Sequence, residues 1–262
     1  MPVDTFSLAG KSAIITGSGR ENGIGAAIAR TLARNGASVV INYVSDSTRP
    51  RAEATAQSIR DEFGVKVALI QADISTPEGA QGLVSETLEK LGVDHIDILV
   101  NNAGGGPVQS IRDTSLETLQ KEFATNVFGT VFMTQAVVEL GKMPRGGRII
   151  NIGSIAPKMN PPLLAVYAAT KGAQNSLTVT WAAELGRGHG ITVNTIAPGP
   201  VTTDINKDCP EVMIPMAEQQ RGDSRFGVPQ DIADAVLLIV SEKSHWITAQ
   251  VIHVDSGVVV GG

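Results

Sequence analysis

Cysteine is nearly missing: Cys209 is the single one in 262 residues. No disulfide can form within the chain, and a reducing compartment is expected. No apolar run reaches bilayer-spanning length, and the opening Met1-Pro2-Val3-Asp4-Thr5-Phe6 has neither the positive nor the apolar stretch of an export signal. A cytoplasmic protein without a membrane partner is therefore expected. Basic runs are absent too. With 21 Lys and Arg against 26 Asp and Glu, a net charge of −5, nothing tracks a phosphate backbone, and nucleic acid is not expected as a partner. What is present is a 42% hydrophobic chain with mean hydropathy +0.10, long enough to bury a large core.

Short apolar runs alternate with helical patterns along the whole length. Strands are expected at residues 12–16, 38–43, 65–72, 96–101, 148–152, 191–196 and 250–254. Helices are expected at residues 51–63, 77–91, 115–140 and 165–186, and another opens after Gly23 with Ile28 and Leu32 four apart. In the third of these ranges, Leu116, Leu119, Phe123 and Val127 form one stripe. The strands read as near-continuous apolar runs, as strands covered on both faces do. The fold class is therefore α/β: a Rossmann-type, doubly wound parallel sheet with helices on both faces. No linker, repeat or low-complexity tract divides it, so one domain spanning 1–262 is expected. The proline-rich stretch from 198 to 229 is the least regular, and a mobile substrate flap is expected over about 200–228.

In such a sheet, ligands bind beyond the carboxyl ends of the strands. After the first strand comes Gly17-Ser18-Gly19-Arg20-Glu21-Asn22-Gly23-Ile24-Gly25, a glycine turn opening a helix, where backbone N–H groups meet phosphate. The strict dinucleotide spacing is not met, since Asn22 stands where the third glycine belongs. Later strands end in Asn42-Tyr43, Asp73, Asn101-Asn102-Ala103-Gly104, Gly153-Ser154 and Pro198-Gly199. In the 165–186 helix, Tyr167 and Lys171 share a face. An ammonium beside a phenol favours the phenolate and draws its pKa down from about 10, which makes a proton donor and acceptor. Taken singly, each feature has a plainer reading. Tyr and Lys pack side by side on many helices, Ser154 suits a turn, Asn126 can bond its own backbone, Asp73 can cap the helix near Pro77, and Pro198-Gly199 suits a turn.

Together these residues resemble the short-chain dehydrogenase/reductase family over essentially the whole chain. The matching pieces are Thr16-Gly17…Gly23-Ile24-Gly25, Asp73-Ile74, Asn101-Asn102-Ala103-Gly104, Asn126, Ser154, Tyr167-x-x-x-Lys171 and Pro198-Gly199. The resemblance implies that Tyr167 is the general acid or base. Lys171 would lower its pKa and hold the nicotinamide ribose, Ser154 would bond the substrate carbonyl, and Asn126 would hold a water linking Lys171 to solvent. It also implies adenine-side contacts from Asp73, Asn102, Ala103 and Gly104, and nicotinamide-side contacts from Val201 and Thr203. No metal is implied. Two departures stand out: the glycine loop carries two extra residues, with Arg20 either reaching a phosphate or lying in solvent, and Asp255-Ser256-Gly257 replaces the family's frequent Asp-Gly-Gly.

An acid at the end of the second strand would select NAD. Neutral Asn42, Tyr43 and Ser45 are expected there as contacts, favouring NADP(H), with NAD(H) second. Segments 105–109, 155–164 and 201–226 are expected to wall the pocket. They include Met213, Ile214 and Met216, which also suit lid packing. The first two of these segments are poor in charge and suit a flat, apolar ketone. The Ile41-Asn42-Tyr43 strand end resembles that of reductases acting on hydroxynaphthalene and polyketide ketones, which implies a cyclic or polyketide-like ketone. The alternatives are a 3-oxoacyl carrier-protein reductase, for which Arg145 matches one half of a basic pair and His189 departs from the other, and an NAD-dependent alcohol or sugar dehydrogenase. A non-catalytic nucleotide sensor would be marked by loss of Ser154, Tyr167 or Lys171, and none is lost. The resemblance further implies a homo-oligomer, tetramer or dimer, packed through the 115–140 and 165–186 helices, with Trp181 at that face or in the core.

Overall fold

A computed structural model describes residues 6–204, 213–223 and 225–260. Among these residues, seven parallel strands form one sheet: β1 (Ser12–Ile15), β2 (Ser38–Tyr43), β3 (Val67–Gln71), β4 (Ile98–Asn101), β5 (Arg148–Ile152), β6 (Thr192–Pro198) and β7 (Val251–Val254). Their order is β3-β2-β1-β4-β5-β6-β7. The strand order therefore reverses between β1 and β4, and a crevice opens there at the carboxyl ends. Each expected strand is present, its ends shifted by no more than a residue or two.

Within a strand, successive side chains go to opposite faces, and both faces are dry. Ala13 and Ile15 of β1 pack with Val39 and Ile41 of β2 in one core, while Ile14 and Val40 between them pack in the other. The first core is roofed by α1 (Ile24–Arg34), α2 (Arg49–Phe63) and α9 (Pro229–Val240) through Ile28, Leu32, Ile59 and Val236. The second is roofed by α3 (Pro77–Leu91), α5 (Gly129–Glu139) and α7 (Ala165–His189) through Leu83, Val84, Met133, Val137 and Ala182. Leu32 is fully buried, and truncating such a side chain to alanine costs about 2–5 kcal/mol. Trp181 is half-buried against the second core.

Helix ends follow local chemistry. Pro50 in the first turn lets α2 begin at Arg49, two residues before its expected start. Thr76, not Asp73, caps α3, accepting from Gly79 N at 3.1 Å. The larger difference is the expected 115–140 helix. It comprises α4 (Leu116–Phe123), a π turn (Ala124–Phe128) and α5. The first half of its apolar stripe points outward: Leu116 and Leu119 are exposed, whereas Phe123 and Val127 are half-buried and Glu122 is buried.

The expected flap falls partly on residues 205–212 and 224, outside those described. Around them, Val201 bridges to Gly227, Met213 is buried, and α8 (Ile214–Ala217) forms one short turn. Short α6 (Ala156–Met159) follows β5.

Candidate active site

Backbone builds the β1 side of the crevice. Gly17 adopts φ +63°, and a Cβ there would lie 2.9 Å from Ala103 Cα. Only glycine suits both the left-handed conformation and that approach. Thr16 Oγ1 accepts from Asn102 N and Ala103 N at 3.0 and 2.9 Å, and Asn102 donates back to Thr16 O at 2.8 Å. The loops after β1 and β4 are thereby locked together. The two extra residues fold into a tight turn in which Gly23 N donates to Arg20 O at 2.9 Å, leaving Arg20 exposed. Helix α1 then begins at Ile24 with no side-chain cap and no acid in its first turn. Its first N–H groups meet the needs of a phosphate. These residues fit a dinucleotide.

The end of β2 differs from expectation. From the sequence, Asn42 and Tyr43 are expected to meet the cofactor, but both side chains are buried. Asn42 Oδ1 accepts from Gly17 N at 3.0 Å and its amide donates to Ala72 O at 3.1 Å. Tyr43 donates to Gln71 Oε1 at 3.4 Å. The strand end lies beneath the glycine turn, with Ser18 N and Gly19 N both donating to Asn42 O, so buried polar atoms take internal partners. At the rim stand half-buried Ser45, exposed Arg20 and Arg51, the last paired with Asp204. Asp73 is exposed and accepts from Ser75 N at 2.9 Å, while Ile74 beside it is buried.

Side chains build the β5 side. Ser154, just past β5, accepts from Ala156 N at 3.0 Å, and its hydroxyl is a hydrogen-bonding neighbour of Tyr167. Lys171 is 3% exposed. Its Nζ lies 5.7 Å from the Tyr167 ring centre and donates to Ile152 O and Gln174 Oε1 at 2.8 and 2.9 Å. Burial pulls the lysine down to about 7.

The expectation that Lys171 draws the phenol toward working pH is corrected. Burial raises the Tyr167 pKa, the Ser154 hydrogen bond opposes this, and the charge of Glu122 adds to the rise. The physical reason is burial of the phenol itself; the amine is held by Ile152 O and Gln174 Oε1 and is not among the groups that move it.

Asn126 lies fully buried in the π turn. Its Oδ1 accepts from Gly105 N at 3.1 Å, and its amide donates to Gly105 O and Thr170 Oγ1 at 3.0 and 2.9 Å. Thr170 in turn donates to Tyr167 O at 2.7 Å. Gly104 backs onto both Asn126 Oδ1 and Lys171 Nζ. Beyond β6, Gly199 N donates to Val254 O at 3.0 Å, Val201 is buried, and Thr203 is half-buried. Pro198, Gly199, Val201 and Thr203 thus follow the third strand end of the cleft. Ser256, standing where the family often has glycine, takes a left-handed φ of +58°.

Two residues escape the sequence reading. Gln174 is wholly buried against Lys171. Its signal is the polar stripe Tyr167, Lys171, Gln174, Thr178, spaced four, three and four along α7. Glu122 is 5% exposed and its Oε2 has no hydrogen-bond partner. Burial raises its pKa, and a Cβ at Gly106 would collide with it. No local pattern marks it.

A cavity of about 640 Å³ opens beside Ala168, walled by Gln109, Ile111, Pro157, Pro161 and Leu163. Two of the three expected wall segments contribute to it, and among the described residues none of those lining it is charged.

The arrangement is comparable with known proteins. The family model described as enoyl-(acyl carrier protein) reductase matches residues 17–259. The chain is 37% identical to the short-chain dehydrogenase/reductase FrzI of Cladobotryum sp, over 97% of each chain. It is 35% identical to the 3-oxoacyl-[acyl-carrier-protein] reductase FabG of Staphylococcus epidermidis, over 94% of this chain and 98% of that one. Among solved structures it is similar to the angucycline C-6 ketoreductase LanV with bound NADP, at 31% identity and TM-score 0.88, over 97% of this chain and 98% of that one.

Proposed function

The chain belongs to the short-chain dehydrogenase/reductase family, and from that premise we propose that it is an NADPH-dependent oxidoreductase reducing a cyclic or polyketide-like ketone to a secondary alcohol. The observation that carries this reading is the meeting of Ser154, Tyr167 and Lys171 beyond β5. An acid, a second hydroxyl and an amine converge where a carbonyl oxygen would gain charge.

Bound NADPH supplies the hydride. Tyr167 gives its phenolic proton to the carbonyl oxygen, and Ser154 donates a hydrogen bond to the same atom. Lys171 holds the nicotinamide ribose, and its charged form steadies the phenolate left behind. Asn126 fixes the β4 loop against α7 through Gly105 and Thr170. Gly17, Arg20, Gly23, Ile24 and Gly25 cradle the pyrophosphate. Asp73, Ile74, Asn102, Ala103 and Gly104 line the adenosine, and Pro198, Gly199, Val201 and Thr203 line the nicotinamide. Alcohol oxidation at alkaline pH follows, since the phenolate is then the base.

NADP is supported by the absence of an acid at positions 42 and 43, by Ser45, Arg20 and Arg51 at the rim, and by the NADP described in LanV. Asn42 and Tyr43 serve by shaping that rim. The apolar, proline-rich segment after Ser154, which lines the cavity beside Ala168 with Pro157, Pro161 and Leu163, supports an apolar ketone. Exposed Leu116, Leu119, Phe128 and Val179 support a homo-oligomer packed through α4, the π turn and α7. A second reading, a 3-oxoacyl carrier-protein reductase, is favoured by the likeness to FabG, while His189 in place of the second basic residue argues against it.

The test is binding of NADPH and NADH to the purified protein, then NADPH consumption with cyclic diketones, naphthol-type ketones and a 3-oxoacyl thioester. Tighter NADPH binding with turnover of the cyclic ketones is expected. Turnover of the thioester alone would establish the second reading, and preference for NADH would overturn the cofactor assignment.

A further inference from the structure

The resemblance implies a water beside Asn126, linking Lys171 to solvent. In the structure the Gln174 side chain lies between Lys171 and Asn126. Gln174, one turn beyond Lys171, accepts from Lys171 Nζ through Oε1 at 2.9 Å. Its Nε2 donates to Asn126 O and to Thr130 Oγ1, each at 2.8 Å. Every polar atom of the amide is thus engaged, and the residue has no exposed surface. The π turn is what brings the Asn126 carbonyl to this point, and Thr130 Oγ1 also donates to it at 2.9 Å.

We propose that Gln174 is a positioning residue for Lys171: its amide bridges the lysine amine to the Asn126 carbonyl, aims the amine toward the β5 end, and closes this side of the site to proton transfer. The proposal rests on the reading of Lys171 as the partner of Tyr167. An amide holds a donor and an acceptor but does not pass a proton on without becoming charged or tautomerised. The titratable groups nearest this pocket are Tyr167 on α7 and Glu122 on α4. The β5 end, the π turn and the β4 loop offer uncharged Ile152 O, Asn126 and Gly104.

Gln174 Oε1 accepts from the amine and so favours its charged form. Replacing it by an apolar side chain of similar length moves the lysine midpoint below about 7, and one pH unit corresponds to about tenfold in acid dissociation. Alanine acts differently. It leaves a space bordered by Lys171 Nζ, Asn126 O and Thr130 Oγ1, enough polar partners for a water.

The experiment uses the full-length protein labelled with 13Cε lysine, with the Lys171 signal identified by its loss in Lys171→Met. Its titration is followed in the unaltered protein, Gln174→Met and Gln174→Ala, alongside the pH profile of alcohol oxidation. In Gln174→Met the lysine midpoint is expected to fall by about one unit, and the rising limb of oxidation to move about as far toward alkaline pH. Gln174→Ala is expected to stay near the unaltered protein in both. If Gln174 only fills space, the order reverses, with methionine harmless and alanine damaging, and the proposal fails. It also fails if the lysine titration is unmoved in Gln174→Met. Should methionine prevent folding, Gln174→Leu carries the same expectation. Absence of turnover with every substrate would overturn the oxidoreductase reading alone, because the lysine titration needs no substrate.

Discussion

At the carboxyl end of β1 the cleft presents main chain. Gly17 lies against Ala103, the first turn of α1 offers bare N–H groups, and the side chains at the end of β2 are turned inward. At the carboxyl end of β5 it presents side chains, Ser154, Tyr167 and Lys171, supported by buried Asn126, Thr170 and Gln174. The difference suits the two tasks. Phosphate needs several donors at fixed positions, which backbone supplies without side-chain entropy. Proton transfer needs groups whose pKa values burial and neighbours can move. Substitution should therefore separate the two halves: a change of functional group harms the β5 side, and a single added methyl harms the β1 side.

The largest separation is expected from Tyr167→Phe. Ketone reduction should fall by about a hundred- to ten-thousandfold, while NADPH affinity, read by fluorescence titration, stays within a fewfold. A parallel loss of binding would join the halves into one unit. Next is the cost of burying Lys171, whose midpoint is lowered to about 7 from 10.5. A group with a depressed folded pKa contributes stability above its unfolded value and loses it as pH falls through the folded value. Lys171→Met should thus gain on the unaltered protein by up to a few kcal/mol between pH 10 and pH 7, read from denaturant midpoints. A pH-independent difference would mean that the amine is not buried in solution.

On the β1 side, Gly17→Ala combines a left-handed residue with a close contact. It should cost about 2–4 kcal/mol in stability and weaken NADPH binding at least as much as any single change at Ser154. Intact binding would show that the turn yields where the comparison holds it rigid. The smallest effect is expected at Glu122, buried with an unpartnered Oε2 and a raised pKa. A raised folded pKa gives stability that is full below the unfolded value of 4.5 and is lost as pH rises through the folded value. Glu122→Gln should be close to neutral at pH 4 and stabilising by about 1 kcal/mol at pH 8, measured by thermal unfolding at both. The opposite slope would show that an ionised Glu122 is held by a partner.

The elements were largely legible because each depends on local pattern. Apolar runs of strand length, glycine after β1 and proline at helix starts act within a few residues. The Tyr167 and Lys171 face follows from helical spacing alone. The direction of Asn42 was not legible. A polar residue at a strand end reads equally as a ligand contact or as a partner for buried backbone, and the glycine turn lying over it decides. The outward stripe of Leu116 and Leu119 with inward Glu122 is similar, since periodicity reveals a face but not what lies opposite it.

By itself the sequence determined the alternation of strand and helix, the doubly wound sheet, and the order of the residues that meet at its carboxyl edge. Backbone geometry and hydrophobic burial act through nearest neighbours and periodic spacing, and both are written in order along the chain. The folded arrangement alone sets Gln174 between Lys171 and Asn126, shuts Glu122 in behind Gly106, and raises the phenol by burial. Desolvation and hydrogen-bond partnership depend on which remote segments close over a group, and no spacing along one helix records that.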